Sequence, residues 1–233
     1  MHRTRRDGVN FLNDPRIAER IVSLVDTKEK RILEIGGGLG QLTRFIRNFR
    51  SLIIIEKDPD FAKRLTAMFP EATVMNADAL RVEWPEFDVF LSNMPYSISS
   101  PLLERLWNSE FETGVVTVQK EVADRITAEP GTKDYSRLSV MMQMKFRIER
   151  EFDIPPVKFT PRPAVYSTVL RLRRGNDAIP EGFDSFLKTI FSQRRKKLRN
   201  IVKTDLFGDS RPEELSRTDL LEVFKIVSEQ QRS

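Results

Sequence analysis

Cysteine is absent from this chain and histidine is nearly so, which removes whole classes of chemistry. The 233 residues contain no cysteine, so disulfides, thiolate zinc sites, iron–sulfur clusters and cysteine nucleophiles are excluded. The single histidine is His2, close to the start of the chain. A histidine-based triad or metal site is therefore excluded as well. The chemistry must need neither side chain, and no metal site is expected.

Long apolar runs are also missing. No stretch approaches the roughly 18 consecutive apolar residues of a membrane-spanning helix. The charged start, with Arg3, Arg5 and Arg6, is not followed by the apolar segment of a secretory signal and is interpreted as a basic arm. We therefore expect a cytoplasmic protein without membrane contact. The hydrophobic content of 39% is still sufficient for a core, in one large domain or one domain with a small appendage.

Positive charge is in excess and points to a polyanionic partner. The formal net charge is +5 and the isoelectric point about 9.5. Residues 185–204 hold seven basic and no acidic side chains, namely Lys188, Arg194, Arg195, Lys196, Lys197, Arg199 and Lys203. Interleaved apolar residues predict that this segment packs one face inward and presents the basic one. The alternative is an ordinary solvated helix face.

Asn93, Met94, Pro95 and Tyr96 form a short motif suited to holding a planar amine. They follow an apolar run, residues 89–91, that predicts a buried strand. The Asn93 side-chain oxygen and the Met94 carbonyl can accept hydrogen bonds from an exocyclic amine, and Pro95 has no N–H to compete. Such acceptors make the amine more pyramidal and more nucleophilic, while the Tyr96 ring can stack on the base. A plain turn after a strand is the alternative.

A glycine-rich turn, Gly36-Gly37-Gly38-Leu39-Gly40, lies between a strand predicted at 31–35 and a helix predicted to start at Gln41. Glycines in this position let the backbone approach a ligand closely. The spacing is not the G-x-G-x-x-G of dinucleotide sites. A glutamate, Glu34, two residues before a G-x-G-x-G run is typical of S-adenosylmethionine methyltransferases.

Two acidic residues follow the next strands. A strand predicted at 52–55 ends in Glu56, which is placed to accept hydrogen bonds from two ribose hydroxyls. Asp78 follows a strand predicted at 72–75 and suits the amino group of the cofactor adenine. The alternative is a glycine-rich turn with two acidic strand ends and no ligand.

The order of the predicted elements indicates an α/β fold. Asp14 caps a predicted amphipathic helix, residues 14–25, with Pro15 in its first turn. Strands and helices then alternate as far as residue 118, which predicts a mostly parallel sheet covered on both faces. Two antiparallel strands are expected next, at residues 146–154 and 165–172, with a proline-rich loop at 155–163 between them. A linker at 176–182 and short helices at 183–233 are expected to follow.

These motifs together resemble the small-subunit ribosomal RNA adenine dimethyltransferases. The resemblance runs from about Gly8 to Asn200. Besides the motifs above, it is carried by residues 8–14 (GVNFLND), 119–123 (QKEVA), 135–140 (YSRLSV), 159–163 (FTPRP) and 193–198 (QRRKKL). Val9 stands where the family usually has glutamine.

The resemblance implies a Rossmann-like class I methyltransferase domain at 1–175 and a small helical, rRNA-contacting domain at 176–233. It implies transfer of two methyls from S-adenosylmethionine to each of two adjacent adenines near the 3′ end of small-subunit rRNA. The enzyme would act as a monomer on a pre-ribosomal particle. Asn93, Met94, Pro95, Tyr96 and Phe159 would be catalytic, with Tyr96 and Phe159 enclosing the target base. The expected cofactor contacts are Asn10, Leu12, Gly36, Gly38, Glu56, Asp78 and Asn93, and the expected RNA contacts are Arg194, Arg195, Lys196, Lys197 and Arg199.

Three alternatives stay open at this point. The 23S rRNA adenine dimethyltransferases share the cofactor motif and the Asn-apolar-Pro-Tyr site, although residues 119–123 and 193–198 favour the small-subunit branch. A non-catalytic assembly factor could use the same fold to bind rRNA. Phe159, which lies among prolines, could be a buried loop anchor instead of a stacking residue.

Overall fold

The computed structural model describes residues 10–175 and 178–230, which divide into two units. Within these residues, the first unit comprises 10–123 and 148–174, and the second comprises 124–147 and 175–230. The second unit thus includes a segment that lies before the boundary expected at residue 175. The division of function between domains 1–175 and 176–233 stays a prediction. The basic arm, Val9 and linker residues 176–177 lie outside the described residues.

A seven-stranded sheet forms the centre of the first unit. The described strands are β1 (Phe11–Leu12), β2 (Arg31–Ile35), β3 (Ser51–Glu56), β4 (Thr73–Asn76), β5 (Val89–Asn93), β6 (Thr113–Gln119), β7 (Phe146–Ile154), β8 (Phe159–Thr160) and β9 (Ser167–Arg174). The sheet order is β4-β3-β2-β5-β6-β9-β7. Neighbours from β4 to β6 are parallel, and β9 is antiparallel to β6. The predicted α/β class with a mostly parallel sheet is confirmed.

The sheet is covered on both faces. Ile32–Ile35 in β2, Val89–Ser92 in β5 and Gly114–Val118 in β6 are uninterrupted runs of buried residues. Because successive side chains of a strand point to opposite faces, such runs require a cover on each side. Each fully buried Val, Leu or Ile side chain contributes about 1.5–3 kcal/mol to this packing.

Seven helices of at least one full turn surround or follow the strands in the described part of the chain. They are α1 (Pro15–Val22), α2 (Pro59–Met68), α3 (Ser99–Trp107), α4 (Lys120–Ile126), α5 (Arg137–Lys145), α6 (Phe183–Phe191) and α7 (Arg217–Gln230). Asp14 caps α1 as predicted, accepting the Arg16 backbone N–H at 3.1 Å. Its other oxygen binds Lys158 Nζ at 2.7 Å, and this contact is the main reason that the pKa of Asp14 is lowered to about 2.

The helix predicted from Gln41 is not formed. The chain makes only a 3-10 helix at Thr43–Phe45, in which Phe45 N–H bonds the Leu42 carbonyl at 2.9 Å. The chain must return within ten residues of Gly40 to begin β3 beside β2, where Ser51 pairs with Arg31. Only residues 41–50 connect Gly40 to β3, which leaves little room for a helix together with a turn at each of its ends, and a 3-10 turn fits this length.

The proline-rich segment, residues 155–163, was expected to be an irregular loop, but part of it is regular. It contains a 3-10 helix at Pro156–Lys158 and then β8, which pairs antiparallel with β1. Phe11 faces Thr160 and Leu12 faces Phe159 in this register. The prolines flank β8 without occupying it, so its backbone N–H groups remain free to pair.

Helices and aromatic side chains hold the second unit together. Phe183 of α6 is fully buried and meets Phe224 of α7 edge-on, with ring centroids 5.3 Å apart. Arg137 at the start of α5 binds both carboxylate oxygens of Asp184, at 2.6 and 2.8 Å. Among the described helices, none combines the length and the apolar character that crossing a membrane requires.

Candidate active site

A cavity of about 480 Å³ opens in the first unit, beyond the carboxyl ends of β2, β3, β4 and β5. Open α/β sheets bind their ligands at this edge. The cavity collects most of the residues singled out in the sequence. Those that line it are Asn10, Leu12, Gly36, Gly38, Glu56, Asp78, Asn93, Met94, Pro95 and Tyr96.

Backbone donors hold Glu56 in place at the end of β3. Its two oxygens accept the N–H groups of Gly38 at 2.9 Å and Asp58 at 2.8 Å, and the residue is only 8% exposed. Gly38 adopts φ +53°, and a Cβ there would lie 3.0 Å from the Phe11 ring. A glycine is therefore required for the turn to reach the carboxylate. Each carboxylate oxygen keeps a further lone pair, so Glu56 can still accept two ligand hydroxyls.

Asp78 lies just beyond β4 and is also fixed by its neighbours. The Leu80 N–H donates to Oδ1 at 3.0 Å, and Lys57 Nζ lies 2.9 Å from Oδ2. The hydrogen bond from Lys57, followed by that from the Leu80 backbone, lowers the pKa of Asp78. Asp78 is therefore an ionised acceptor at neutral pH, as an adenine amino group would require.

Glu34 is a second buried carboxyl group near Glu56. From the sequence, Glu34 was noted only as the glutamate two residues before the glycine-rich turn, and no role was assigned to it. It lines the cavity, is 2% exposed and accepts a hydrogen bond from Thr43 Oγ1 at 2.7 Å. Burial raises its pKa to about 7, and the nearby Glu56 carboxylate adds to this effect. Near neutral pH, Glu34 can therefore gain or lose a proton when a charged ligand enters.

The end of β5 presents Asn93 with a defined orientation. Asn93 Nδ2 donates to the Asn10 carbonyl at 3.1 Å, which leaves Oδ1 as an acceptor. The Met94 N–H donates to the Thr117 carbonyl of β6 at 3.1 Å. No hydrogen bond to the Met94 carbonyl is found within residues 10–175 and 178–230. Two acceptors at adjacent positions are thus available for an amine.

Tyr96 follows in a 3-10 helix, Tyr96–Ile98, and lines the same cavity. Its hydroxyl lies 2.5 Å from Oγ of Ser167, the first residue of β9. Partial burial raises the pKa of Tyr96, so the phenol stays neutral at physiological pH. The ring is therefore positioned by a hydrogen bond to β9 and is not poised to act as a base.

Sequence and structure comparisons identify the family. The model of the ribosomal RNA adenine dimethylase family matches residues 1–231. The chain belongs to the ribosomal RNA adenine dimethylase family. It is 41% identical to "Ribosomal RNA small subunit methyltransferase A" of Bordetella pertussis, over 85% of this chain and 80% of that protein. It is 39% identical to "Probable ribosomal RNA small subunit methyltransferase A" of Pyrobaculum aerophilum, over 95% and 97%.

Solved structures resemble this adenine dimethylase closely. The 23S rRNA methyltransferase ErmE is 28% identical, with a TM-score of 0.71 over 94% of this chain and all of that chain. A dimethyladenosine transferase from Plasmodium falciparum has a TM-score of 0.86, over 95% of this chain and 98% of that chain. At 24% identity, this second likeness establishes the fold alone.

Several side chains that line the adenine dimethylase cavity were missed in the sequence. They are Phe11, Gln41, Lys57, Asp58 and Phe61. The rings of Phe11 and Phe61 meet edge-on at 5.3 Å, which joins β1 to the first turn of α2. Their distance of 50 positions in the chain hides this contact from any local pattern. Asp58 and Pro59 do carry the signature of a helix start, which could have indicated that the next residues lie beside Glu56.

Phe159 is not brought to the cavity of this adenine dimethylase. It is 2% exposed, belongs to the hydrophobic core and pairs with Leu12 through the backbone. That Phe159 encloses the base together with Tyr96 stays a prediction; in this structure its ring packs in the core. The arrangement is that of the alternative role, a buried loop anchor.

Some residues of the basic segment in the second unit contact other residues of that unit, and others have no acidic partner among the described residues. Arg194 Nη1 donates to the carbonyls of Lys133 and Tyr135, at 2.9 and 3.2 Å, and its Nε lies 3.3 Å from Glu213. Lys197 and Arg199 share the carboxylate of Asp209. Arg195 and Lys196 are exposed, and the Lys196 ammonium donates a hydrogen bond to the Gln193 side chain. The segment forms turns after α6 and does not continue it as a helix with one basic face.

Proposed function

We infer that this protein transfers methyl groups from S-adenosylmethionine to the N6 amines of adenines in small-subunit rRNA. The observation that supports this most directly is the pair of acceptors formed by Asn93 Oδ1 and the Met94 carbonyl, beside a carboxylate-lined cavity. The family and the two small-subunit relatives supply the substrate class. We further propose dimethylation of two adjacent adenines near the 3′ end, in a pre-ribosomal particle in the cytoplasm, by a monomer.

The residues of the cavity fit the proposed cofactor. Glu56 offers fixed acceptors for two ribose hydroxyls, and ionised Asp78 offers one for an adenine amino group. Asn10, Leu12, Gly36 and Gly38 border the same space, whose volume of about 480 Å³ suits a nucleoside-sized ligand. When bound, S-adenosylmethionine supplies an electrophilic methyl group.

The residues of the chain prepare the amine. Asn93 Oδ1 and the Met94 carbonyl accept its two hydrogens, which opposes delocalisation of the nitrogen lone pair into the ring. Pro95 presents no N–H that could bond the nitrogen. Fixed acceptors of this kind act without reorganisation during the reaction. The neutral Tyr96 phenol contributes a ring face for stacking, and no general base is required of it.

The two alternatives differ from this proposal in substrate or in class. Identity favours the small-subunit substrate, since the relatives named for it reach 41% whereas ErmE reaches 28%. A purely non-catalytic assembly factor would have no need of an oriented Asn93 amide beside a Met94 carbonyl that accepts no hydrogen bond from the described residues. A role in assembly can nevertheless coexist with methyl transfer.

Methyl transfer by wild type and Asn93→Ala tests the proposal. Wild type should place dimethyladenosine on small-subunit particles and not on 23S rRNA, as read by mass spectrometry of digested rRNA. The variant should lose about 10²–10³-fold in rate, the usual cost of removing one preorganised contact. Calorimetry with the cofactor and thermal unfolding report whether the variant is folded. A folded variant with near-wild-type turnover would refute the mechanism, and methylation of 23S rRNA alone would refute the substrate.

A further inference from the structure

The loop before β9 exposes apolar and aromatic side chains. Four large hydrophobic residues are exposed within the described part of the chain: Met68, Val157, Val165 and Tyr166. Three of these four lie in the ten residues 157–166, which begin at the proline-rich segment. Tyr166 is 49% exposed. The two other tyrosines of the chain, Tyr96 and Tyr135, are partly or fully buried.

The register of the sheet places Tyr166 at the same edge of the sheet as the end of β5. Ser167 pairs with Gln119 at the carboxyl end of β6, the same edge at which β5 ends in Asn93. The Ser167 hydroxyl contacts the Tyr96 hydroxyl directly, at 2.5 Å. Tyr166 is the neighbour of Ser167, and consecutive Cα atoms are about 3.8 Å apart. The Tyr166 backbone is therefore one residue away from the contact between Ser167 and Tyr96.

The backbone of Tyr166 is fixed although its side chain is free. Its carbonyl accepts the Lys120 N–H at 2.9 Å, and β9 begins at the next residue. Four prolines between residues 155 and 163 further restrict the loop that precedes it. An exposed ring on a rigid backbone loses little conformational entropy when a partner binds.

A free cation accompanies the ring. Arg162 is exposed, and no ion-pair partner for it is found among the described residues. An aromatic face, neighbouring apolar surface and an unpaired guanidinium are the combination by which proteins bind single-stranded nucleic acid. The ring stacks on a base while the cation contacts the phosphate.

We propose that Tyr166 stacks on a nucleobase flanking the target adenine, with Arg162 on an adjacent phosphate. The occupant is single-stranded rRNA, so this inference rests on the proposed function and adds a second contact to it. This contact is separate from the stacking of Tyr96 on the target base. It would also favour a target whose neighbour is unpaired.

Steady-state kinetics on small-subunit particles test the proposal with three variants. Tyr166→Ala should raise the KM for the particle by about 5- to 150-fold, the range that corresponds to loss of one base–aromatic stack. Its kcat and its affinity for S-adenosylmethionine should not change. Tyr166→Phe should retain the wild-type KM because the ring remains. Met68→Ala removes the fourth exposed hydrophobic residue, at the end of α2, and should have no effect.

A fluorescence experiment reports stacking directly. A single-stranded RNA oligomer with 2-aminopurine beside the target adenine should be quenched by wild type and by Tyr166→Phe, but not by Tyr166→Ala. An unchanged KM in Tyr166→Ala, or quenching that persists, would overturn the proposal. A KM defect on particles without any change in quenching would also overturn it, since the surface would then contact protein. If wild type transfers no methyl to the particle, the proposed function fails instead.

Discussion

At the scale of single residues, the site depends on carboxylates that occupy different environments. Glu56 is held by two backbone N–H groups, Asp78 by a lysine and a backbone N–H, and Glu34 by one threonine hydroxyl in a fully buried position. Their protonation behaviour differs accordingly. Asp78 is driven toward the ionised form and Glu34 toward the protonated one.

Replacing Glu56 with alanine should weaken S-adenosylmethionine binding at least tenfold. Each hydrogen bond to a charged acceptor contributes ~1.5–3 kcal/mol, and 1.4 kcal/mol corresponds to a factor of ten. The substitution also leaves the Gly38 N–H without its acceptor. Calorimetry with the cofactor and with a 2′,3′-dideoxyribose analogue separates these effects. The substitution should weaken binding of S-adenosylmethionine and leave binding of the analogue unchanged. An equal loss of affinity for both ligands would show that Glu56 only supports the glycine-rich turn.

Replacing Glu34 with glutamine should stabilise the cofactor-free protein at high pH. Because the folded-state pKa of about 7 exceeds the ordinary 4.5, the folded state binds more protons between these values. Stability is therefore lost as the pH rises through this window. The neutral amide of glutamine avoids the free-energy cost of ionising a buried carboxyl group, which amounts to up to about 3 kcal/mol. Urea unfolding should show the variant more stable than wild type at pH 8 and nearly equal at pH 4. A constant difference across this range would contradict a titrating Glu34.

At the scale of elements, the carboxyl edge of the sheet is where distant parts of the chain meet. Asn10, before β1, accepts a hydrogen bond from Asn93 at the end of β5, and Tyr96 contacts Ser167 at the start of β9. Residues that are far apart in the sequence therefore hold the site together. This arrangement predicts coupling between a substitution at Tyr96, just after β5, and one at Ser167 in β9.

Tyr96→Phe and Ser167→Ala should each reduce methyl transfer modestly, and the double variant should be no worse than either. Each removes the same hydrogen bond, which contributes about 0.5–1.5 kcal/mol, so the rate should fall by at most about tenfold. A double-mutant cycle on kcat/KM measures the coupling, and Ser167→Thr, which restores a hydroxyl, should recover activity. Independent losses would show that the bond does not position the ring. A Tyr96→Phe variant as inactive as Asn93→Ala would show that the hydroxyl takes part in the reaction.

The elements themselves were largely predictable from sequence, since most strands of the parallel sheet are rich in apolar residues, such as residues 53–55 in β3 and 89–91 in β5. The strand predicted at 31–35 is β2, and that at 146–154 is β7. The segment after Gly40 was mispredicted because the return to β3 limits its length, and no local propensity encodes that limit. The inward ring of Phe159 depends on pairing with Leu12, nearly 150 positions away. Glu34 was visible as a motif residue, but its raised pKa depends on its burial in the folded chain.

At the scale of the whole molecule, the net charge of +5 is not evenly available to a partner. Of the five basic residues predicted to bind rRNA, Arg194 supports the backbone of residues 133–135, and Lys197 and Arg199 are paired with Asp209. Arg195 and Lys196 are the exposed members whose charge no acidic residue neutralises in the described chain. The electrostatic contribution of the segment should therefore come mainly from these two.

Changing Arg195 and Lys196 together to glutamine should reduce the salt dependence of rRNA binding. If Arg195 and Lys196 each neutralise one phosphate of single-stranded rRNA, their loss should flatten the slope of log affinity against log salt by about 1.4. Cofactor affinity should not change, because the cavity is formed by other residues. Arg194→Gln should instead lower the melting temperature, since it removes contacts to Lys133, Tyr135 and Glu213.

Lys28→Gln with Arg50→Gln is the matched control for this double change. It removes the same charge at the amino ends of β2 and β3, the edge of the sheet opposite the cavity, and should leave the slope as in wild type. Binding measured by filter retention of small-subunit particles at several salt concentrations compares the two pairs. An equally reduced salt slope in both double variants would mean that only the net charge of the protein determines the salt dependence of binding. An unchanged slope in the Arg195 and Lys196 variant would assign the basic segment to holding the second unit together, with the phosphate contacts made elsewhere.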